Sequence, residues 1–325
     1  MRAKKNNTLF TKILYQIILV LNCITAVLLL CAYLTRYINP AENHSFVFIG
    51  ISFPYLIIFN LIFLFFWIYW TKKYFWISLL AILLSIPNIK LFFPINLQTE
   101  KDFSNAISVM TYNLDSINNK DLIINYIKSS NCDVICLQDC HFDIKQNSIY
   151  THSFSNNGTI TLSKYPILRN KIIGNQTDCN NSIYSDIDYK GNRVRIFNCD
   201  FSSASKDSCF DHFSIPIHKI YAALDGHQEH AKEIAKSINA SPYKVILCGN
   251  LNESPISYTY NILYKKLFDV FVEKESGLGT TYDKKVYMLR WDYIFCDKRI
   301  IPVDYRKEKV DFSLHYPLIC SFLIN

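Results

Sequence analysis

Apolar positions are distributed along this chain in two ways. Up to about residue 93 they form long uncharged runs. Beyond about residue 105 they form short alternating or helical groups divided by polar turns. The first run, Ile13–Leu34, has 22 positions. At about 1.5 Å per residue it is long enough for a hydrocarbon layer of roughly 30 Å. The apolar part of a cleaved signal peptide is shorter, ~7–15 residues. A second run covers Phe46–Trp70, and a third begins at Tyr74 and reaches Ile89. Lys90 extends the third towards Phe93 by keeping its ammonium at the interface. The pattern predicts a membrane region over 1–103 with three transmembrane helices, at about 13–34, 46–70 and 74–93.

The pattern of residues 104–325 predicts an α/β domain. Ile107–Tyr112, Val134–Leu137, Gly158–Leu162, Arg193–Asn198, Val245–Leu247, Thr280–Tyr282, Trp291–Cys296 and Tyr316–Leu323 read as strands. Lys120–Ser129 reads as an amphipathic helix with Leu122, Ile123, Tyr126 and Ile127 on one face, and His218–Asn239 as a second helix. Strands joined mostly by loops, with helices between only some, predict packed sheets with outer helices.

The formal charge of +7 suggests a nucleic-acid binder until it is divided along the chain. Residues 1–103 hold nine Lys/Arg and three Asp/Glu, and the rest 25 and 24. The surplus therefore accompanies the apolar runs as a topology signal, and charge gives nucleic acid no support as a partner. Arg2, Lys4, Lys5 and Lys12 before the first run, and Lys72–Lys73 before the third, place the N-terminus and that turn in the cytoplasm. Three crossings then put the large domain on the outer, periplasmic or extracellular face. The eleven cysteines lack C-x-x-C pairs and fall mostly in strand-like segments, which predicts small buried hydrophobes. Unpaired thiols lean towards a reducing compartment; the lysine asymmetry carries the expectation.

Candidate chemistry concentrates where strands end. Lys244–Asn252, KVILCGNLN, is a buried strand stopped at Gly249 that delivers Asn250 and Asn252. Asp292 beside Arg290 reads equally well as a surface ion pair. His227 and His230 share a predicted helix with Glu229 and Glu233. Their spacing departs from H-E-x-x-H, which predicts a solvated helix face.

Five segments occur in an order that resembles the endonuclease/exonuclease/phosphatase superfamily. They are MTYNL at Met110–Leu114, DVICLQD at Asp133–Asp139, TLSKYPI at Thr161–Ile167, VILCGNLN at Val245–Asn252, and the pair LRWDYIF, Leu289–Phe295, with SLHYP, Ser313–Pro317. The resemblance implies a four-layer α/β/β/α sandwich after three transmembrane helices, with the site at one end of the two sheets. It implies phosphoester hydrolysis with Mg²⁺ or Mn²⁺ if the site is active, and otherwise no cofactor. By the same resemblance Asp139 is the metal ligand, Asn113, Asn198 and Asp200 line the substrate site, Asn252 contacts phosphate, and Asp292 orients His315.

Three letters depart from the family pattern. Asn250 replaces the aspartate that activates water, Leu314 replaces the aspartate of S-D-H, and Asp200 stands in place of a histidine. An amide takes no proton near neutral pH, and losing a general base typically costs ~10²–10⁴ in rate. The expectation is a membrane-anchored phosphoesterase that is impaired or inactive. The alternatives are an active enzyme with a rearranged metal shell and a non-catalytic membrane scaffold. The bilayer is the expected partner, with a lipid, nucleotide or small-molecule phosphate ester as substrate. Only 18 residues separate Asp139 from Gly158, which leaves little chain for a recognition loop.

Overall fold

Prolines divide two of the three apolar runs. In the computed structural model, which describes residues 2–96, 105–115, 117, 119–144, 149–177, 180–201, 216–282 and 289–324, the first run lies within one helix, α1 (Arg2–Leu34). The second is parted at Ser52 into α2 (Ser45–Ile51) and α3 (Phe53–Trp70). The third is parted at Ser85 into α4 (Phe75–Leu84) and α5 (Ile86–Phe92), bent by 65°. Pro54 and Pro87 stand in the first turn of the new helix, where a missing N–H costs nothing but the preceding helix cannot continue. The third run is therefore bent where the sequence predicts a continuous helix, while the second keeps a span-length helix that starts at Phe53 rather than Phe46. By length and composition, two helices among the described residues suffice to cross a membrane, or three if the bent pair counts as one span.

The chain forms two compact units, Met1–Lys90 and Leu91–Asn325. In the first, polar side chains join the helices. Asn22 of α1 donates to Ser78 Oγ of α4 at 2.6 Å and accepts from Trp67 Nε1 of α3 at 2.8 Å. Asn60 of α3 donates to the Thr25 carbonyl at 3.1 Å. Asn88 of α5 accepts from Arg36 at 3.2 Å and donates to the Tyr33 carbonyl at 3.4 Å. Tyr15 packs edge-on against Trp67 and Tyr74.

The second unit holds two six-stranded mixed sheets. One is built from β1 (Ile107–Asn113), β2 (Val134–Gln138), β3 (His152–Asn156), β4 (Thr159–Ser163), β11 (Ile301–Lys307) and β12 (Leu318–Leu323), in the order β11-β12-β1-β2-β4-β3. The other uses β5 (Ile167–Thr177), β6 (Asn180–Tyr189), β7 (Asn192–Asp200), β8 (Lys244–Asn250), β9 (Phe268–Asp269) and β10 (Asp292–Cys296), in the order β5-β6-β7-β8-β10-β9. Helix α6 (Lys120–Ser129) buries Ile123 and Ile127 in a core with Met110, Tyr112, Ile135 and Leu137 of the first sheet. Helix α7 (Ile217–Asn239) buries one face, and α8 (Tyr258–Tyr264) and α9 (Val270–Lys274) follow β8 and β9. This is the α/β sandwich that the strand and helix pattern predicts. Thr280–Tyr282 forms only an isolated bridge, Tyr282 to His315, where a strand is predicted.

The segment Leu91–Asn96 belongs to the second unit. Asn96 donates to the Val272 and Glu275 carbonyls at 2.9 and 2.7 Å, and Arg290 donates to the Leu91 carbonyl at 3.2 Å. Residues 97–104, where the sequence sets the domain boundary, lie outside the described residues.

Candidate active site

Period-two alternation builds the site. Val109, Val134, Val194, Ile196, Ile246, Cys248, Ile294 and Cys296 fill the core between the sheets. Continuing each strand in steps of two leads to Asn113, Gln138, Asn198, Asp200, Asn250 and Asp292 at one end of that interlayer. β7 and β8 are parallel with Asp200 beside Asn250, while β10 runs antiparallel to β8 with Asp292 beside Asn250. Three polar residues thus stand in one row across three strands. Gly249 makes this pairing possible. Its φ is +146°, and a Cβ there would run into the Cys199 carbonyl of β7.

His315 completes the row from the loop before β12. Its Nδ1 lies 2.8 Å from Asp292 Oδ2, and Asn250 Nδ2 donates to Asp292 Oδ1 at 3.1 Å. Asn250 Nδ2 also lies 3.3 Å from His315 Nδ1. With Nδ1–H directed at the carboxylate, those nitrogens are both donors, so Asp292 holds them side by side. Ser313 fixes the loop by donating to the Asn113 and Asp115 carbonyls, each at 2.9 Å, and the Tyr282 ring meets the imidazole edge-on at 4.8 Å. Burial pulls the His315 pKa down. The Asp292 carboxylate and its hydrogen bond, then Asp115 and Asp200, outweigh burial and hold it above the ordinary imidazole value.

Asp200 is 2% exposed. Burial, followed by the Asp139 charge, pushes its carboxyl up to about 8, against the pull of His315 and of a hydrogen bond from the Asp139 backbone. Its Oδ1 and the Oδ1 of its strand neighbour Asn250 are both buried without a partner. Asp139 stands at the rim with a left-handed backbone, φ +51°, and accepts from His141 Nε2 at 2.6 Å. Asn252, also left-handed, donates to the Phe201 carbonyl at 2.6 Å. Asn113 accepts from the Asp115 backbone at 2.8 Å. Asn198 is fully buried one step below Asp200. It donates to the Leu137 and Ile160 carbonyls and accepts from Gln138, which makes it a tie between the sheets.

The structure therefore brings His315, Asp292, Asn250 and Asp200 together, sets Asn113, Asn252 and Asp139 around them, and engages Asn198 in the interior. Two readings of neighbouring residues are corrected. Arg290 pairs with Asp269 at 2.7 Å inside the protein, so Asp292 is not its surface partner. His227 and His230 are 3% exposed rather than solvated, beside Glu253 Oε1 at 3.2 Å and Ser182 Oγ at 2.7 Å. Asp115, Gln138 and Ser313, to which motif matching gave no role, hold these residues in place: the Asp115 backbone donates to Asn113, Gln138 donates to Asn198, and Ser313 ties down the His315 loop. Asp115 had a readable signal, a carboxylate two residues past Asn113.

The metal expected for such a site meets a poor donor set. The Asp139 carboxylate is held by His141, Asn250 turns its nitrogen towards Asp292 and His315, and Leu314 offers no ligand. Among the described residues, no group of three or more His, Cys, Asp or Glu is placed to hold an ion. Against the family pattern the site thus offers fewer oxygen donors to an ion, with an amide at Asn250 and an aliphatic chain at Leu314 where that pattern has carboxylates.

The Endonuclease/Exonuclease/phosphatase family matches residues 110–307. A domain of unknown function matches residues 15–92. No curated protein matches the chain. Among solved structures, humanized D. rerio TDP2 with 14 mutations is 17% identical over 68% of this chain and 100% of its own, with TM-score 0.52. The Bacteroides vulgatus endonuclease/exonuclease/phosphatase is 13% identical over 68% and 99%, TM-score 0.52. The human Nocturnin catalytic domain, solved with a bound sulfate anion, is 15% identical over 71% and 96%, TM-score 0.52. At these identities the likeness is one of fold.

Proposed function

The chain belongs to the endonuclease/exonuclease/phosphatase family, and from that premise we propose a membrane-anchored phosphoester-binding protein whose hydrolytic activity is impaired or absent. The observation that carries this reading is Asn250. It sits inside an ordered Asp292–His315 pair, 3.1 and 3.3 Å from its members, at the position where the family chemistry needs a proton acceptor. The scaffold for binding a tetrahedral oxyanion is kept, while the group that activates water is an amide. The sulfate in the Nocturnin structure is an oxyanion of that shape. A second reading, an active hydrolase, draws support from Asp200, a carboxyl raised to about 8 on the strand next to Asn250.

The helical unit supports a topology as well. Tyr74, at the turn before α4, packs on Tyr15 of α1; Ser78 bonds Asn22; and Asn88 bonds the Tyr33 carbonyl. The bent pair therefore climbs from the level of Tyr15 to that of Tyr33, a rise of about 27 Å along α1. This favours a third crossing over a re-entrant loop, with the basic Lys72–Lys73 turn at the cytoplasmic end and the large domain on the other side.

The full-length chain in detergent, assayed on bis(p-nitrophenyl) phosphate with Mg²⁺ or Mn²⁺, separates the two readings. Wild type is expected at background and Asn250→Asp with Leu314→Asp above it. Metal-dependent wild-type hydrolysis that disappears in His315→Ala would overturn the impaired reading. Calorimetric titration with Mn²⁺ reports binding independently of turnover.

A further inference from the structure

The second unit carries a cleft of about 310 Å³, and none of the residues lining it belongs to the candidate site. Its floor is Phe271 and Tyr305, both buried and packed edge-on at 6.0 Å. One wall is the segment Glu275–Gly279, and the other is Arg306 and Lys307 of β11. Gly279 lets the first wall sit on the floor, because a Cβ there would run into the Phe271 ring. The volume suits a small polar group rather than a large ligand.

The charges in the cleft are not equivalent. Arg306 is already neutralised by Glu308 at 3.0 Å and Asp304 at 3.4 Å. Lys307 is half-buried and donates to the Thr280 carbonyl at 2.6 Å, and Glu275 is half-buried on the facing wall. Among the described residues neither has an ion-pair partner. Burial, then Asp304, raises the Glu275 carboxyl above its ordinary value against the pull of Lys307. Burial, then Lys309, lowers the Lys307 ammonium against the pull of Glu275.

The first wall is also tied to the end of the last apolar run. Gly277 N–H donates to the Pro94 carbonyl at 3.0 Å. Ser276 Oγ accepts from the Asn96 N–H and donates to the Asn96 carbonyl, each at 2.8 Å. Phe93 and Ile95, on either side of Pro94, are exposed, and so is Leu278 on the wall itself. Apolar side chains left exposed beside the end of such a run suit the interfacial layer of a bilayer.

We propose that this cleft binds the headgroup of a zwitterionic phospholipid, its phosphate at Lys307 and its ammonium at Glu275. Each buried charge then gains an opposite one, whereas a headgroup with negative charge alone meets the Glu275 carboxylate. The inference takes its lipid source from the membrane-anchored reading and does not depend on hydrolysis at the Asp292–His315 pair.

The test is calorimetric titration of the full-length chain in maltoside micelles with glycerophosphoethanolamine, glycerophosphoglycerol and inorganic phosphate. One saturable glycerophosphoethanolamine site is expected, about tenfold tighter than either of the others. Lys307→Met should weaken it by about tenfold, and Glu275→Gln should erase the preference for the ammonium headgroup. His315→Ala, which alters the other phosphate site, should leave it unchanged. Phosphatidylethanolamine added to the micelles should compete, and phosphatidylglycerol should not. No saturable binding, equal binding of the three ligands, or loss in His315→Ala with retention in Lys307→Met would each overturn the proposal. Headgroup binding without lipid competition overturns the lipid as source. Labelling of the chain from either side of the bilayer reads the anchored topology separately, so the two failures are distinguishable. The order of ligands is measured on wild type, so a variant that does not fold leaves the decision intact.

Discussion

Asp200 and Asn250 show how one pair of side chains can concentrate polarity inside a core. Adjacent on parallel strands, each buries an oxygen without a partner. A proton on Asp200 relieves the conflict, consistent with burial pushing that carboxyl up to about 8. The unfolded chain ionises the same group near pH 4. Between those values the folded state binds more protons, so the contribution is full below pH 4 and is lost as pH rises through 8, at roughly 1.4 kcal/mol per unit. The melting temperature should fall from pH 5 to pH 9 in wild type and stay flatter in Asp200→Asn, whose amide brings its own proton donor. An unchanged slope in the variant would remove Asp200 as the cause. The letters of the site were readable from sequence, but the partnerships were not. Asp292 looked as ready to pair with Arg290 as with His315, and only strand register and a loop 23 residues away decide it.

Elements were legible where side-chain period and apolar content agreed. The predicted Lys120–Ser129 and His218–Asn239 helices appear nearly as drawn. β3, β5, β6, β9 and β11 carry no predicted strand: β3 has no fully buried position, and β6 is buried on both faces with Ser182, Ser185 and Asp186 among its apolar residues, the last paired with Arg195 at 2.7 Å. α7 misled in the opposite sense. Ala223, His227, His230, Ala231 and Ile234 form one buried stripe at helical spacing, so the histidines belong to the core face. Burial lowers the His230 pKa to about 4, with His227 adding to the effect. An unfolded histidine protonates near 6.5, so this contribution to stability is full above pH 6.5 and is lost as pH falls towards 4, about 3 kcal/mol in all. Thermal melts at pH 7 and pH 4.5 should show a smaller acid loss in His230→Asn than in wild type. Equal losses would assign acid sensitivity to other groups.

At the scale of the whole molecule, five ordered segments sufficed for the sandwich because each lies at one end or the other of a core strand, and strand ends are where this fold collects its polar groups. The membrane region carried less information. Apolar runs fix length and composition, but the third is bent at Ser85–Pro87, and a bent pair either crosses or turns back. Inside the helical unit the matching levels of Tyr15 with Tyr74, Asn22 with Ser78 and Tyr33 with Asn88 favour crossing. Crossing predicts that Lys72 and Asp311, both exposed, lie on opposite sides of the bilayer. Lys72→Cys and Asp311→Cys, placed singly in the full-length chain, can be labelled in intact cells with a membrane-impermeant maleimide. With Cys23, Cys31, Cys179 and Cys209 first replaced by serine, the remaining native thiols are buried and give a low background. Asp311→Cys should react before lysis and Lys72→Cys only after it. Protection of both positions until lysis would mean that the bent pair returns to the cytoplasmic side, and the domain with it.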